Sequence, residues 1–234
     1  MSTTITTSIL RSAIGLGLFA VITGGTIAVT QVVTEDRIKE QAAKAEASAL
    51  FEIIPENQHD NNLLRDVVTL PASNRLASPG PVQAWVARRD GQPVGMIMPA
   101  VAPDGYSGDI RLLVGIDLQG EVLGVRVTSH RETPGLGDRI ETRKSDWIKS
   151  FDGKSLGSPQ QRQWNVKKNG GAFDQFTGAT ITPRAVVKAV HRSLIYFRQN
   201  RRTILERLNA APSPEKDAIT PEGNTGNSGT GEQY

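Results

Sequence analysis

The chain has 234 residues, 27 basic and 24 acidic side chains, a formal charge of +3 and no cysteine. That length holds one ordinary domain with appendages, and the near balance of charge argues against a broad nucleic-acid footprint. The lack of cysteine excludes disulfides, thiolate metal sites, cysteine-held iron–sulfur clusters and thiol catalysis, so any redox role must use another cofactor.

Residues 1–11 form a short N-terminal segment. No charged residue then occurs from Ser12 to Thr34, and a helix of that length, rising about 1.5 Å per residue, crosses about 30 Å of hydrocarbon. The apolar part of a cleaved signal peptide is about 7–15 residues. This run is longer and lacks a clean small-residue cleavage site after it, so residues 12–34 are expected to be an uncleaved transmembrane helix. Gly15, Gly17, Gly24 and Gly25 are of the kind that lets membrane helices pack closely, which points to a larger membrane assembly. Arg11 precedes the run and Arg37, Lys39 and Lys44 follow it, so the positive-inside rule does not orient it.

Residues 35–65 read as a helical linker. Ile38–Ile54 is rich in Ala, Glu and Lys, stops near Pro55, and is followed by a polar, loop-like stretch over 56–65. The pattern then turns to short β-type runs at Val67–Leu70, Gln83–Arg88, Val94–Ala100, Ile110–Ile116 and Val122–Thr128. Asp90-Gly91, Asp104-Gly105 and Gln119-Gly120 punctuate them, and residues 117–121 read as a hairpin connection. Residues 129–170 mix loops with a short helix around Ser145–Phe151. A long helix runs from Pro183 to about Leu208, with Thr182 expected as its N-cap and Pro183 as its first helical residue. Val186, Val190, Leu194, Phe197, Ile204 and Leu208 recur at helical spacing and predict its buried face. Its basic residues (Arg184, Lys188, Arg192, Arg198, Arg201, Arg202) read as a solvated face. Residues 209–234, mostly Pro, Ser, Gly, Asn and Thr with scattered charge, cannot bury a core and are expected to be a disordered tail.

This succession predicts an α+β fold: one N-terminal transmembrane helix, then a domain over 66–208 with a curved, mainly antiparallel sheet and helices packed on one side. His59, His130 and His191 are scattered without ligand spacing, so no metal site is expected.

The most informative segment is Asp174-Gln-Phe-Thr177-Gly178-Ala179-Thr180-Ile-Thr182-Pro183. It feeds a loop of small residues into a helix N-terminus, where unpaired backbone N–H groups and the helix dipole favour a phosphate. Gly178 and Ala179 let a bulky group approach the backbone closely, and the threonine hydroxyls stand where a phosphate would meet them. The same residues also serve ordinary turn-and-cap chemistry. Lys167 and Lys168 could place a cation near such a phosphate, or form a solvated loop. Trp147 is either a core residue or a neighbour of a bound ring.

The run Asp174-x-x-Thr177-Gly178-Ala179-Thr180 resembles the flavinylation motif of bacterial FMN-binding domains. Ser129-His-Arg-Glu132-Thr133-Pro134-Gly135-Leu136-Gly137 resembles the His-x-Glu-Thr-Pro-Gly-Leu-Gly loop of the same family, and Gly105-Tyr-Ser-Gly108-Asp-Ile its glycine-rich segment. With the single span, these matches resemble the family of G subunits of Rnf (Rsx) electron-transport complexes over about residues 10–208. The C subunit of the sodium-pumping NADH:quinone reductase shares the anchor, loop and motif, and is the alternative.

The resemblance implies FMN joined to Thr180 by a phosphoester, with Asp174 recognised by the flavin transferase that makes the link. It implies cofactor contacts from Asp174, Thr177, Gly178, Ala179, Glu132, Thr133, Gly135, Leu136 and Gly137; Lys168 is a further candidate contact by its charge and position alone. It also implies partner subunits in the membrane, ion movement coupled to electron exchange of the ferredoxin–NAD type, and a soluble domain on the periplasmic side of a bacterial inner membrane. An anchored interaction module without redox activity is the alternative of another class. A threonine hydrolase is disfavoured, because no general base pairs with Thr177 or Thr180 in the sequence.

Overall fold

The structure is a computed structural model and describes residues 2–210. Helix α1 runs unbroken over Ser2–Ile53, so the expected span and the helix after it are one element. Within it Ile9–Glu35 is long and apolar enough to cross a membrane, and none of its described residues is buried. The hydroxyls of Thr26, Thr30 and Thr34 donate to the carbonyls four residues earlier at 2.7–2.8 Å. Such back-bonding satisfies a polar group that the hydrocarbon cannot. A short 3₁₀ turn, Glu56–Gln58, follows α1.

Five strands come next: β1 Val67–Leu70, β2 Val82–Arg89, β3 Gln92–Gly105, β4 Gly108–Asp117 and β5 Val122–Ser129. They pair antiparallel in sequence order; a longer connection over 71–81 joins β1 to β2, and short turns join β2 to β3, β3 to β4 and β4 to β5, as antiparallel neighbours allow. β3 is longer than its sequence pattern indicates. Asp104-Gly105 lies inside the strand, pairing continues to Gly105 opposite Gly108, and the reversal falls at Tyr106-Ser107. Buried Ala102 opposite Ile110 keeps the ladder going where the sequence offers only small and polar residues.

Helix α2, Ile181–Ala210, packs across one face of the sheet. All six residues of its expected apolar face are buried. They join Met96, Met98, Leu112 and Val114 from the strands and an aromatic group of Phe151, Trp164 and Phe173 from the segment before the helix. At its far end Arg88 of β2 pairs with Asp66 at 2.7 Å and donates to the carbonyl of Leu208 at 2.8 Å. The helix continues through Ala210; the tail expected beyond it, from residue 211, lies outside the described residues.

The helices do not share one face. The last turns of α1 put Ala49, Leu50, Ile53 and Ile54 on the opposite side of the sheet, against Ala87, Ile97 and Leu113. A Cβ on Gly115 would lie 2.2 Å from Cγ2 of Ile53, so glycine there is what lets α1 sit this close. Strand alternation explains the arrangement: Leu112 and Val114 point to α2 while Leu113 points to α1. The sheet is therefore sandwiched, with α1 tied to the domain by its own end.

Candidate functional site

The segment leading into α2 is anchored at two points. Phe176 is buried, and Thr182 is 1% exposed. Between them the amide of Ala179 donates to the carbonyl of Phe176 at 3.1 Å, closing a four-residue turn with Gly178 at φ 83°. That backbone conformation favours glycine. The turn leaves Thr177 and Gly178 exposed and Ala179 and Thr180 half-buried.

Helix α2 begins before the point its sequence signals indicate. Ile181, not Pro183, is its first residue, and the carbonyl of Thr180 accepts from the amide of Arg184 at 3.4 Å. Thr180, not Thr182, is therefore the N-cap, and Pro183 falls third in the helix. Thr182 is drawn inward instead, its hydroxyl donating to Oε2 of Glu132. Thr180 thus stands where the unpaired N–H groups of a 30-residue helix converge.

The opposing wall is the loop after β5. Leu136 and Gly137 both donate their amides to the carbonyl of Thr133, at 3.1 and 3.0 Å. Behind it Asp138 is buried. The backbone N–H of Gly135, and then Lys144, hold its carboxyl below the ordinary value, although burial opposes them. His130 accepts the amide of Glu132 on Nδ1 at 3.0 Å and meets Oε1 of Glu141 through Nε2 at 2.7 Å. Burial would raise the Glu141 carboxyl, but hydrogen bonds from Arg143 and His130 bring it below its ordinary value.

The two walls enclose a cleft of about 290 Å³ lined by Tyr106, Glu132, Thr133, Leu136, Gly137 and residues 178–182. Leu136 reaches across to the turn, since a Cβ on Gly178 would lie 3.5 Å from its Cδ2. Of the residues singled out in the sequence, Glu132, Thr133, Leu136, Gly137, Gly178, Ala179 and Thr180 meet here. Gly135 and Thr177 shape the neighbouring turns without lining the cleft. Asp174 lies apart on the surface, paired with Lys167 at 2.6 Å. Lys168 also stands outside the cleft, in a 3₁₀ turn where its amide donates to Gln175.

Trp147 is a support, not a wall of the cleft. It meets Phe176 and Phe151 edge-on at 5.1 and 5.4 Å and donates Nε1–H to the carbonyl of Asp174 at 2.8 Å. Tyr106 and Ile181 were not singled out from the sequence. Both line the cleft and are 66% and 46% exposed. For Tyr106 the sequence does carry a signal: an aromatic residue at the tip of a glycine-flanked hairpin has little core to fill.

The site fits FMN on its own features. A long helix N-terminus for a phosphate, a turn of small residues for close approach, and exposed Tyr106, Leu136 and Ile181 for a flat ring meet in one cleft. Comparison with known proteins agrees. Residues 105–195 match the FMN-binding domain, and residues 1–53 match the RnfG N-terminal region. The chain is 53% identical over 204 residues to the G subunit of the ion-translocating oxidoreductase complex of Pseudomonas aeruginosa (strain UCBPP-PA14), covering 87% of this chain and 95% of that one. It is 48% identical over 200 residues to the G subunit from Shewanella loihica, with coverage of 86% and 94%. For that from Vibrio parahaemolyticus the figures are 46% over 206 residues, 88% and 97%. The chain belongs to the family of G subunits of ion-translocating oxidoreductase complexes.

Proposed function

We propose that this chain is the electron-carrier subunit of an ion-translocating membrane complex, with FMN in the cleft joined through its phosphate to Thr180. The observation that carries this reading is the position of Thr180. It caps a 30-residue helix and lines the cleft at once. A phosphodiester there retains a negative charge that the helix end favours. Gly178 and Ala179 leave space for the attached group, while Thr133, Leu136, Tyr106 and Ile181 offer it contact surface.

FMN supplies one- or two-electron chemistry; the chain supplies position and electrostatic surroundings. A cleft of about 290 Å³ is at the small end for ligand sites, so much of the cofactor would stay at the surface, open to a partner's redox centre. Covalent attachment prevents its loss from an outer compartment where free FMN is not replenished. The exposed turn is also open to a flavin transferase. Asp174, at the surface beside Lys167, is suited to recognition by that enzyme rather than to holding the cofactor.

The kinship with G subunits, at 46–53% identity over most of the chain, favours an Rnf-type complex and ferredoxin–NAD exchange over the C subunit of a sodium-pumping reductase. In this reading α1 crosses the inner membrane once, packs against partner subunits, and holds residues 66–208 on the periplasmic side.

The test is intact mass and in-gel flavin fluorescence of the full chain, co-expressed with the transferase. The expected result is a gain of one FMN less one water, lost in Thr180→Ala. A colourless wild-type chain under those conditions would instead favour an anchored interaction module.

A further inference from the structure

Glu132 is 4% exposed, and both its carboxylate oxygens are engaged within the protein. Oε1 accepts the amide of Ser107 at 3.0 Å, and Oε2 accepts the hydroxyl of Thr182. Ser107 sits beside Tyr106 at the tip of the β3–β4 hairpin, and Thr182 in the first turn of α2, two residues after Thr180. One carboxylate therefore joins three segments of the cleft wall: the hairpin, its own loop and the helix end.

The surroundings are fitted to that carboxylate. A Cβ on Gly105 would lie 2.9 Å from Oε1 of Glu132, and one on Gly137 would lie 2.9 Å from both its Oε2 and the Thr182 hydroxyl. The backbone of Glu132 is set from the other side. Its amide donates to Nδ1 of His130, which leaves the proton of a neutral ring on Nε2, toward Glu141. A chain of contacts thus runs Glu141, His130, Glu132, Thr182, and ends beside Thr180.

We infer that Glu132 is a positioning residue for flavin attachment, acting through Thr182 to hold the first turn of α2, and with it the Thr180 hydroxyl, in the cleft. This rests on the reading that Thr180 carries FMN. In the attachment step the threonine oxygen bonds to the flavin phosphorus of a phosphoanhydride donor held by the transferase. The anhydride bond breaks, its other phosphate leaves, and the hydroxyl proton is given up to the solvent. Charge-assisted hydrogen bonds of a buried carboxylate are the stronger kind and fix geometry closely. A hydroxyl that must reach a phosphorus atom depends on that geometry. Glu132 contributes to the cofactor site by orientation, and its carboxylate faces the protein.

The experiment uses the full chain co-expressed with the transferase. Flavinylation is followed over time by intact mass, and the attached flavin by visible circular dichroism, well below each variant's melting temperature. Thr182→Val and Glu132→Ala are each expected to slow attachment by about tenfold or more, since small misplacements of a reacting group cost rate steeply. They should also weaken the circular dichroism of whatever flavin is attached. The double variant should be no slower than the worse single, because both remove one contact. Thr182→Ser keeps the hydroxyl and should restore the wild-type rate and spectrum, which a loss of packing alone would not explain. Should Glu132→Ala fail to fold, Thr182→Val and its serine counterpart decide. Wild-type rate and spectrum in folded Thr182→Val would overturn the inference while leaving Thr180 as the attachment point. A wild-type chain that takes up no flavin would overturn both.

Discussion

Under α2 the sheet meets a deep layer in which Phe151 and Phe173 stack at 4.6 Å, Trp164 lies over both, and Val186, Val190 and Leu194 close from above. On the other face it meets a thinner layer, the end of α1 through Ala49, Leu50, Ile53 and Ile54, with Leu63 from the segment that follows. The cleft proposed for the flavin is built at the rim of the deep face. Phe176 and Thr182 hold its turn there, and both are buried. The thin face has another task, fastening the long apolar helix α1, and it does so by close approach at Gly115 instead of by bulk. A site that must hold geometry is placed on the thick core; an attachment that need only hold direction uses little.

The sharpest way to break this contrast is to cut both cores. Phe173→Ala in the deep face should cost the domain about 3–5 kcal/mol, seen as a large fall in the denaturation midpoint of the full chain in detergent. Leu50→Ala, also fully buried, should cost nearer about 2 kcal/mol. Its signature should be protease cleavage around residues 45–60 while the sheet stays folded. If Leu50→Ala lowers the domain midpoint as far as Phe173→Ala does, the two faces form a single cooperative core and the distinction is wrong.

A smaller effect tests the close approach itself. Gly115→Ala adds a Cβ 2.2 Å from Ile53 Cγ2, an overpacking expected to cost about 1–3 kcal/mol. Ile53→Ala removes the atom in the way, so the pair should be more stable than the sum of the single changes predicts. Strict additivity by denaturant titration would show that α1 shifts freely and is not seated on the glycine.

The same contrast explains what the sequence revealed. The deep face was legible because its signals are local: the β-type runs at Ile110–Ile116 and Val122–Thr128, and the recurrence of Val186, Val190, Leu194 and Phe197 at helical spacing along α2. The thin face was not, because Leu50 and Ile53 belong to a helix read as a linker, and a glycine such as Gly115 looks like a weakness in a strand until something is seen to lie on it. At the site, the turn at Gly178 and the loop over 132–137 were visible as motifs. The start of α2 was misplaced because Thr180 and Thr182 are both good caps locally. Glu132 decides between them: it takes the Thr182 hydroxyl, and nothing local in the sequence reports a partner 50 residues away.

The smallest effect concerns protons, and it again separates the faces. His191 on α2 stacks on Trp164 at 5.2 Å and 11°, and its buried Nε2 has no partner among the described residues. Burial, and then the charge of Arg198, lower its pKa below the ordinary 6.5. The folded chain therefore binds this proton less readily than the unfolded chain. Its contribution to stability is present above about 6.5 and is lost as pH falls from there toward the lowered folded value. Midpoints measured from pH 7.5 downward should decline gently through that window. His191→Phe keeps a ring on Trp164 without a titrating nitrogen, so it should flatten the slope while leaving the midpoint at pH 7.5 near the wild type. An unchanged slope in that variant would assign the acid sensitivity elsewhere. Asp138 and Glu141, behind the loop over 132–137, act lower: their lowered pKa values give a contribution present above their ordinary 3.8 and 4.5 and lost as the pH falls from there, below the window assigned to His191.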